Sequence, residues 1–576
     1  MALVLAVLLL GAVTWLAIGA VRTQHALTAA RADIVVLESQ VRSGDDEGAR
    51  RTLASLASRT TTAREASHGP LWSVARSLPV LGDDVRATQL VTTTADDLSH
   101  HALPGLVDAS TVLDPAVLAP SSGGVSTAPV ARVAPRVIAS DEAVKAAVVQ
   151  LDAVDTGGLV GSVARPFDAF RDQVVGISRT TATASKVARL FPAMLGADGP
   201  RDYLVLVQNN AEQRATGGIP GSVLLLRADH GRIDVVDQRA GSTLTTKEPV
   251  LPLATAESAL FGTHLVTDMR DVTFTPDFPR SAQLAAALWE KVVGGKVDGV
   301  VSVDPVALGT LLGATGPVRV DGTTLTASTA GPLLLNGVYQ DRATAAAQDA
   351  YFADASHAVL TALLGGATST RAVVDALARA AGDGRIMLWS AEEDEQAEVY
   401  GTVLAGELQG LRTSRAGTSP VVGIYLEDGT QAKLGYYVDL DVSGRATQCR
   451  ADGSQRLDVT VTLSSRAPSG AADLPRYLVG FSGVVPRGET RTNVLVYAPT
   501  GGGIVSARAT PGPQGLFAQV HDGLSVGART FTLAPGGRAT LHLVVDTGTG
   551  QAGDVLVRST PTARQAGRAT IASACR

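Results

Sequence analysis

Hydrophobic positions change their rhythm several times along the chain. Residues Ala2 to Val21 form an almost unbroken apolar run whose only hydroxyl is Thr14. About 20 residues rising about 1.5 Å each span the hydrocarbon core of a bilayer, so 1–21 is expected to be a transmembrane anchor. From about Gln24 to Thr111, apolar residues such as Leu27, Ile34, Leu37 and Val41 recur at helical spacing, with breaks at Gly44, Gly69-Pro70 and Leu78-Pro79. This pattern predicts a stalk of helical hairpins over 22–112. Pro, Gly, Ser and Ala dominate 113–137, which reads as a linker. Helical pattern returns over 138–198, with helices expected to pack on the domain that follows.

At Arg201 the period changes. Tyr203 to Val207, Ser222 to Arg227 and Ile233 to Val236 have strand character, and Ser281 to Val293 is helical. Strand pattern returns at Gly299 to Val303 and helix at Pro305 to Leu312. Alternating strands and helices predict an α/β domain over 199–417, a sheet with flanking helices. From about Thr418 the helical pattern stops. Leu457 to Leu463, Thr492 to Tyr497, Thr530 to Leu533 and Thr540 to Val545 recur between Gly/Pro turns, which predicts a β-sandwich over 418–576.

Composition narrows the class. A chain of 576 residues, 45% hydrophobic and 18% charged, is neither wholly disordered nor a multi-span membrane protein. Its net charge of -6 argues against a nucleic-acid partner, since phosphate-backbone binding needs a basic excess. Only six of its 49 basic residues are Lys, so a lone Arg carries little weight as a functional signal. The two cysteines, Cys449 and Cys575, lack metal or redox spacing. They are read as a disulfide of an oxidising compartment, with two unrelated buried thiols as the alternative. The N-terminal run also admits cleavage as a signal peptide near Ala17, Gly19 and Ala20. Taken alone, the positive-inside rule would place the bulk of the chain in the cytoplasm, because Arg22, Arg31 and Arg42 follow the run and no basic residue precedes it. The abrupt start within apolar sequence and the cysteine pair favour the other side. The expected location is the cell membrane, single-pass, with the bulk extracytoplasmic.

The candidate chemistry lies in Gln208 to Ser222, between the first two strands. Asn209, Asn210, Arg214 and three glycines in one loop suit an anion site, with backbone N–H groups converging and the guanidinium forking onto the ligand. The competing reading is a structured loop whose Asn side chains bond local backbone. SxxK, Walker A and HExxH motifs are absent from the sequence. His100-His101 reads as a solvated or packed pair, Glu392 to Glu395 as a solvated helix face, and Trp72, Trp289 and Trp389 as packing anchors.

The run N-N-A-E-Q-R-A-T-G-G (209–218) occurs with Thr275-Pro276-Asp277-Phe278-Pro279 before a helix containing Trp289. It also occurs with Pro70-Leu71-Trp72 and Leu78-Pro79-Val80-Leu81-Gly82 upstream. Together these resemble a membrane-anchored bacterial family classed as a domain of unknown function, over most of residues 1 to 360. More distantly, the α/β part is similar to the LytR–CpsA–Psr family, which transfers polymers from polyprenyl-pyrophosphate carriers to the cell wall. That resemblance rests on the polar loop, the hairpin ending Val235-Val236-Asp237-Gln238-Arg239, and the strand Val297 to Asp304 leading into helix Pro305 to Leu312. It implies Arg214 and Arg239 as phosphate-facing residues. The family's metal-side acids fall here on Asn209-Asn210 and Ala240, so Asp271 or Asp277 would have to replace them. The implied function is binding of a phosphorylated or lipid-linked cell-wall glycan precursor, as a binding protein or a degenerate glycopolymer phosphotransferase. No cofactor is expected beyond Mg²⁺ for a transferase. The alternative is a non-catalytic envelope scaffold or adhesion protein. Lys247 is a further candidate for the same cleft, or an exposed loop lysine.

Overall fold

A computed structural model describes residues 2–79, 81–112, 124–364, 370–408, 419–481 and 483–575, with side chains described from residue 10 onward except at 42, 110–112 and 370. The chain divides into two compact units: residues 1–119 with 125–198, and residues 120–124 with 199–576.

The first unit is helical. α1 (Ala2–Ser43) is one continuous helix, followed by α2 (Asp46–Ser67), α3 (Pro70–Arg76), α4 (Gly82–Asp97), α5 (Leu103–Val112), α6 (Ala128–Asp152) and α7 (Gly161–Met194). Asp45 starts α2 by accepting from the Gly48 amide at 2.9 Å, and Asp46 and Glu47 place negative charge in its first turn. α1 and α2 pack through Ala30, Leu37, Ala49 and Leu56; of the positions that the helical spacing marked, Leu37 and Ile34 belong to this cluster and Val41 is exposed. α6 and α7 bury Val144, Leu151, Phe167 and Val174 with Ala87 of α4 and with Leu98 and Ala102 before α5. The helices that the sequence grouped with the following domain thus complete the helical unit. α6 begins within the expected linker, of which residues 113–123 lie outside the described residues. Among the described residues no helix is long and apolar enough to cross a membrane. The side chains of residues 2–9 in the apolar run lie outside that description.

The second unit opens with a five-stranded mixed sheet in the order β3-β2-β1-β4-β7. Its strands are β1 (Arg201–Arg214), β2 (Gly217–Asp229), β3 (Arg232–Ala240), β4 (Gly299–Val303) and β7 (Ile386–Ser390). β1 and β4 run parallel, and the other neighbours antiparallel. Period-two alternation assigns the two faces. Leu204, Leu206 and Val300 meet α8 (Phe278–Val292) through Ala282, Ala285, Leu288 and Trp289. Val301 and Val303 meet the other side, where α9 (Pro305–Thr315) contributes Ala307 and α11 (Thr370–Gly382) contributes Ala380 and Ala381. A small hairpin, β5 (Val318–Val320) with β6 (Thr323–Leu325), and helix α10 (Ala345–Leu364) form a further apolar cluster with α9 around Leu308, Leu325, Leu334 and Tyr351.

Beyond residue 418 the chain builds two more sheets, one in the order β12 (Gly503–Thr510), β15 (Arg538–Asp546), β10 (Gln455–Ser465) and β9 (Val438–Cys449), the other in the order β13 (Phe517–His521), β14 (Leu524–Leu533), β11 (Thr490–Tyr497), β8 (Val421–Asp428), β16 (Val555–Ser559) and β17 (Arg568–Ile571). They enclose a core of Val422, Ile424, Val459, Val461, Val494, Val496, Leu541 and Leu543. β8 (Val421–Asp428) is buried on both faces, which is why it reads as a nearly continuous apolar run. Its Val422, Ile424 and Leu426 face this core. Val421 and Tyr425 point the other way, into the same cluster as Leu204, Phe278 and Trp289. The expected boundary at 417/418 therefore crosses a common core. The cystine Cys449–Cys575 joins the end of β9 (Val438–Cys449) to the C-terminal residues.

Candidate functional site

The stretch expected as an open loop is a buried hairpin. β1 continues to Arg214, Ala215-Thr216 form the turn, and β2 starts at Gly217. A bulge between Asn209 and Gln213 inserts extra residues into β1, and every residue from 208 to 220 is buried. Gly218 serves a close backbone approach, since a Cβ there would fall 2.1 Å from the Asn209 carbonyl oxygen, whereas one on Gly221 would meet nothing within 4 Å. One on Gly435, in the loop that covers the hairpin, would fall 2.7 Å from the carbonyl oxygen of Ala211.

The polar side chains of the hairpin are largely satisfied by the protein. Asn209 Nδ2 donates to the Tyr339 hydroxyl, and its Oδ1 accepts from the Ala211 amide at 3.0 Å. Asn210 Nδ2 donates to Asp304 Oδ2 and to the Pro561 carbonyl, each at 3.0 Å, while its Oδ1 has no partner among the described residues. Asp304 also takes the Arg385 guanidinium at 2.6 Å, and Arg385 donates to the carbonyls of Thr562 and Gln565 at 2.8 Å. Arg214, with a side chain only 5% exposed, donates to Glu212 Oε1 and Asp271 Oδ1 at 3.2 Å and to the Gln213 carbonyl at 3.0 Å. It also lies 4.1 Å over the Phe274 ring. Glu212 is shared with Lys433, whose ammonium donates to its other oxygen.

A cavity of about 360 Å³ opens beside this network, within the range of small-molecule sites. One group of lining residues is apolar: Leu308, Leu334, Tyr339, Phe352 and Ala355. The other is charged: Glu212, Arg214, Arg270, Asp271 and Lys433. Burial works against the Glu212 carboxylate, but Lys433 and Arg214 outweigh it and hold it below the ordinary carboxylate range. Burial raises Asp271, and the nearby Asp268 and Glu212 add to the rise against the attraction of Arg214. Burial also raises Asp428, reinforced by the Glu212 charge. Burial pushes Glu427 up to about 8, offset only in part by the Asn493 amide. Among the described residues no group of three or more His, Cys, Asp or Glu side chains is placed to hold a metal ion.

The fold brings together only part of the residues singled out from sequence. Asn209, Arg214 and Asp271 line the cavity, and Asp271 pairs with Arg214. Asn210 turns instead to Asp304 and the C-terminal segment. Arg239 is exposed and pairs with Asp237 on its own strand at 2.8 Å. It sits opposite Val223, which faces Leu206, whereas Arg214 pairs with Gly217 at the hairpin's closed end. Register thus separates the two arginines that were expected to share a phosphate. Lys247 is exposed and outside the cavity lining. Asp277, pushed up to about 6 by burial, accepts from the Leu408 amide at 2.6 Å and likewise does not line the cavity. Arg270, Lys433, Tyr339 and Phe352 were missed. The scarcity of lysine was the one available signal for Lys433, while nothing local marks the other three.

Comparison with curated proteins gives no match. Residues 198–339, which run from the start of β1 to Tyr339 and supply the buried hairpin and much of the cavity, match the model of a family described as a protein of unknown function (DUF4012).

Proposed function

We propose that this protein is a membrane-anchored envelope component whose bulk is extracytoplasmic and which binds a phosphorylated, lipid-linked glycan precursor. The observation that carries the reading is the composition of the cavity. An apolar wall from Leu308, Leu334 and Phe352 suits a hydrocarbon chain, and beside it Arg270, half-exposed and paired with Asp268, and Lys433, paired with Glu212, are the cations that a phosphate would share with those acids. The distant likeness to the LytR–CpsA–Psr family supports the same ligand class. Arg214 organises the site rather than gripping the phosphate, since its side chain is only 5% exposed between Glu212 and Asp271, whereas that of Arg270 is 44% exposed. Those acids are the ones a Mg²⁺-dependent transfer would recruit, and their engagement with cations favours binding over transfer.

One observation favours the scaffold reading: most polar groups of the Asn209–Arg214 segment find partners within the protein. The deciding experiment measures binding of polyprenyl phosphate and of inorganic pyrophosphate to the full chain in detergent, with and without Mg²⁺, comparing wild type with Arg270→Ala and Phe352→Ala. Lipid-phosphate binding weakened by both changes supports the proposal. Mg²⁺-dependent binding would reopen transfer. No binding by the folded chain leaves the scaffold.

A further inference from the structure

The sequence contains an apolar segment that the cavity does not use, Pro70-Leu71-Trp72-Ser73-Val74-Ala75-Arg76-Ser77-Leu78-Pro79-Val80-Leu81. In the structure its described residues, 70–79 and 81, form α3 and flank the start of α4, at the end of the helical unit where α1 enters. Its inward residues are committed: Trp72 and Ala75 pack with Val85 and Leu16, and the Trp72 indole donates to the Ala66 carbonyl at 2.8 Å. Its outward residues are large and apolar, with Val74 61%, Leu78 45% and Leu81 49% exposed. A short segment that turns three such side chains to water, between helices able to bury them, calls for an apolar partner.

The packing against α1 fixes where this segment lies along the anchor helix. A Cβ on Gly19 would touch the Trp72 ring at 3.2 Å and the Ala66 carbonyl at 2.8 Å, so Gly19 stands level with the end of α2. A Cβ on Gly69 would lie 3.6 Å from the Trp15 ring, so the start of α3 stands level with Trp15. The apolar run of α1 continues to Val21, with Leu10, Val13, Ile18 and Val21 themselves exposed. Six residues separate Trp15 from Val21, about 9 Å along a helix. A bilayer that covers the apolar run would therefore reach past the start of α3 by about that distance, the depth at which interfacial segments seat their apolar side chains, about 5–10 Å. Trp15 and Trp72 at this level, and the exposed Arg22 and Arg76 flanking it, match the aromatic and cationic residues that favour the headgroup region.

We infer that the α3–α4 turn is a second membrane contact, a non-spanning wedge in which Val74, Leu78 and Leu81 insert into the interface of the bilayer that holds α1. The inference rests on the anchor reading proposed above. With two attachments instead of one, the helical unit cannot swivel freely about α1.

The test uses the full chain in vesicles of phosphatidylethanolamine and phosphatidylglycerol containing lipids with a nitroxide on the acyl chain. The native cysteines are joined to each other, so Leu10→Cys, Val74→Cys, Leu78→Cys and Arg51→Cys each supply one free thiol for an environment-sensitive fluorophore. Labels at 10, 74 and 78 are expected to shift to the blue and lose most of their fluorescence to the nitroxide, while the label at 51 stays unquenched. Quenching at 10 with none at 74 and 78 overturns the wedge and leaves the anchor standing. Absence of quenching at 10 removes the anchor reading and the wedge with it.

Discussion

Replacing Arg214 by Ala separates a structural cation from a ligand-gripping one. A surface guanidinium waiting for a phosphate could be removed at a cost within about 1 kcal/mol. Arg214 is instead buried, bridges Glu212 and Asp271, and stacks on Phe274. Its loss leaves Glu212 still paired with Lys433, but leaves Asp271 near Asp268 and Glu212 without its ion-pair partner, since the neighbouring Arg270 is held by Asp268. Removing one partner of a buried ion pair costs about 3–5 kcal/mol, and the lost ring contact adds about 0.5–2. An expected loss of about 3–5 kcal/mol is therefore conservative, and is a large share of the roughly 5–15 kcal/mol that holds a typical protein folded. The loss should also depend on pH. Without Arg214 the folded-state pKa of Asp271 rises further above its unfolded value, so the folded chain binds the extra proton. Stability of the variant relative to wild type is then best preserved in acid and falls as pH rises through that folded pKa. Urea unfolding in a Trp15→Phe, Trp72→Phe background measures this, because the remaining Trp289 and Trp389 both report on the second unit. A loss below about 1 kcal/mol at neutral pH with no pH dependence would refute the structural role, since that is the cost of a surface ion pair.

Three other outcomes follow from the buried polar groups and the cystine. Asp304→Ala removes a helix cap on the Ala307 amide and the counter-ion of Arg385 in a pair only 3% exposed on each side; urea midpoints should show a loss of about 4–6 kcal/mol, with partial recovery in the Asp304→Ala, Arg385→Met double variant, and simple additivity would contradict the pairing. Glu427 is held up at about 8, so the folded chain keeps a proton that the unfolded chain has released above about 4.5, and this group makes stability fall as pH rises across that window. Glu427→Gln should therefore melt higher than wild type at pH 9 and equally at pH 4, and matching curves at both would show that the carboxyl is not buried as described. Replacing both cysteines by Ser opens a link between residues 126 apart and should cost about 2–5 kcal/mol in denaturant titrations; unchanged midpoints under reducing conditions would contradict it.

Much of the secondary structure follows from local rules alone. Strands at 203–207, 222–227, 299–303, 457–463 and 540–545, and helices starting near 281 and at 305, fall within the observed elements because their side-chain periods and turn residues act within a few positions. The pairing of the two cysteines was also legible, as the simplest use of an isolated pair outside metal spacing. The candidate site was legible only as a cluster of polar types. Nothing local shows that β1 runs on through Gln208 to Arg214, since those residues lack strand alternation and are held extended by the loops at Gly435 and Pro561, more than 200 residues away. The partners that decide what Arg214 does, Asp271 and Phe274, come from 57 and 60 residues downstream, and Lys433 reaches Glu212 across 221. Charge compensation and close packing depend on which chain segments meet, and neither leaves a periodic signal. The sequence by itself therefore determined the order and kind of elements and the apolar run at the start. Only the tertiary structure decided that the motif arginine is buried as a structural ion, that Arg239 stands apart from it, and that the two halves of the second unit share one core.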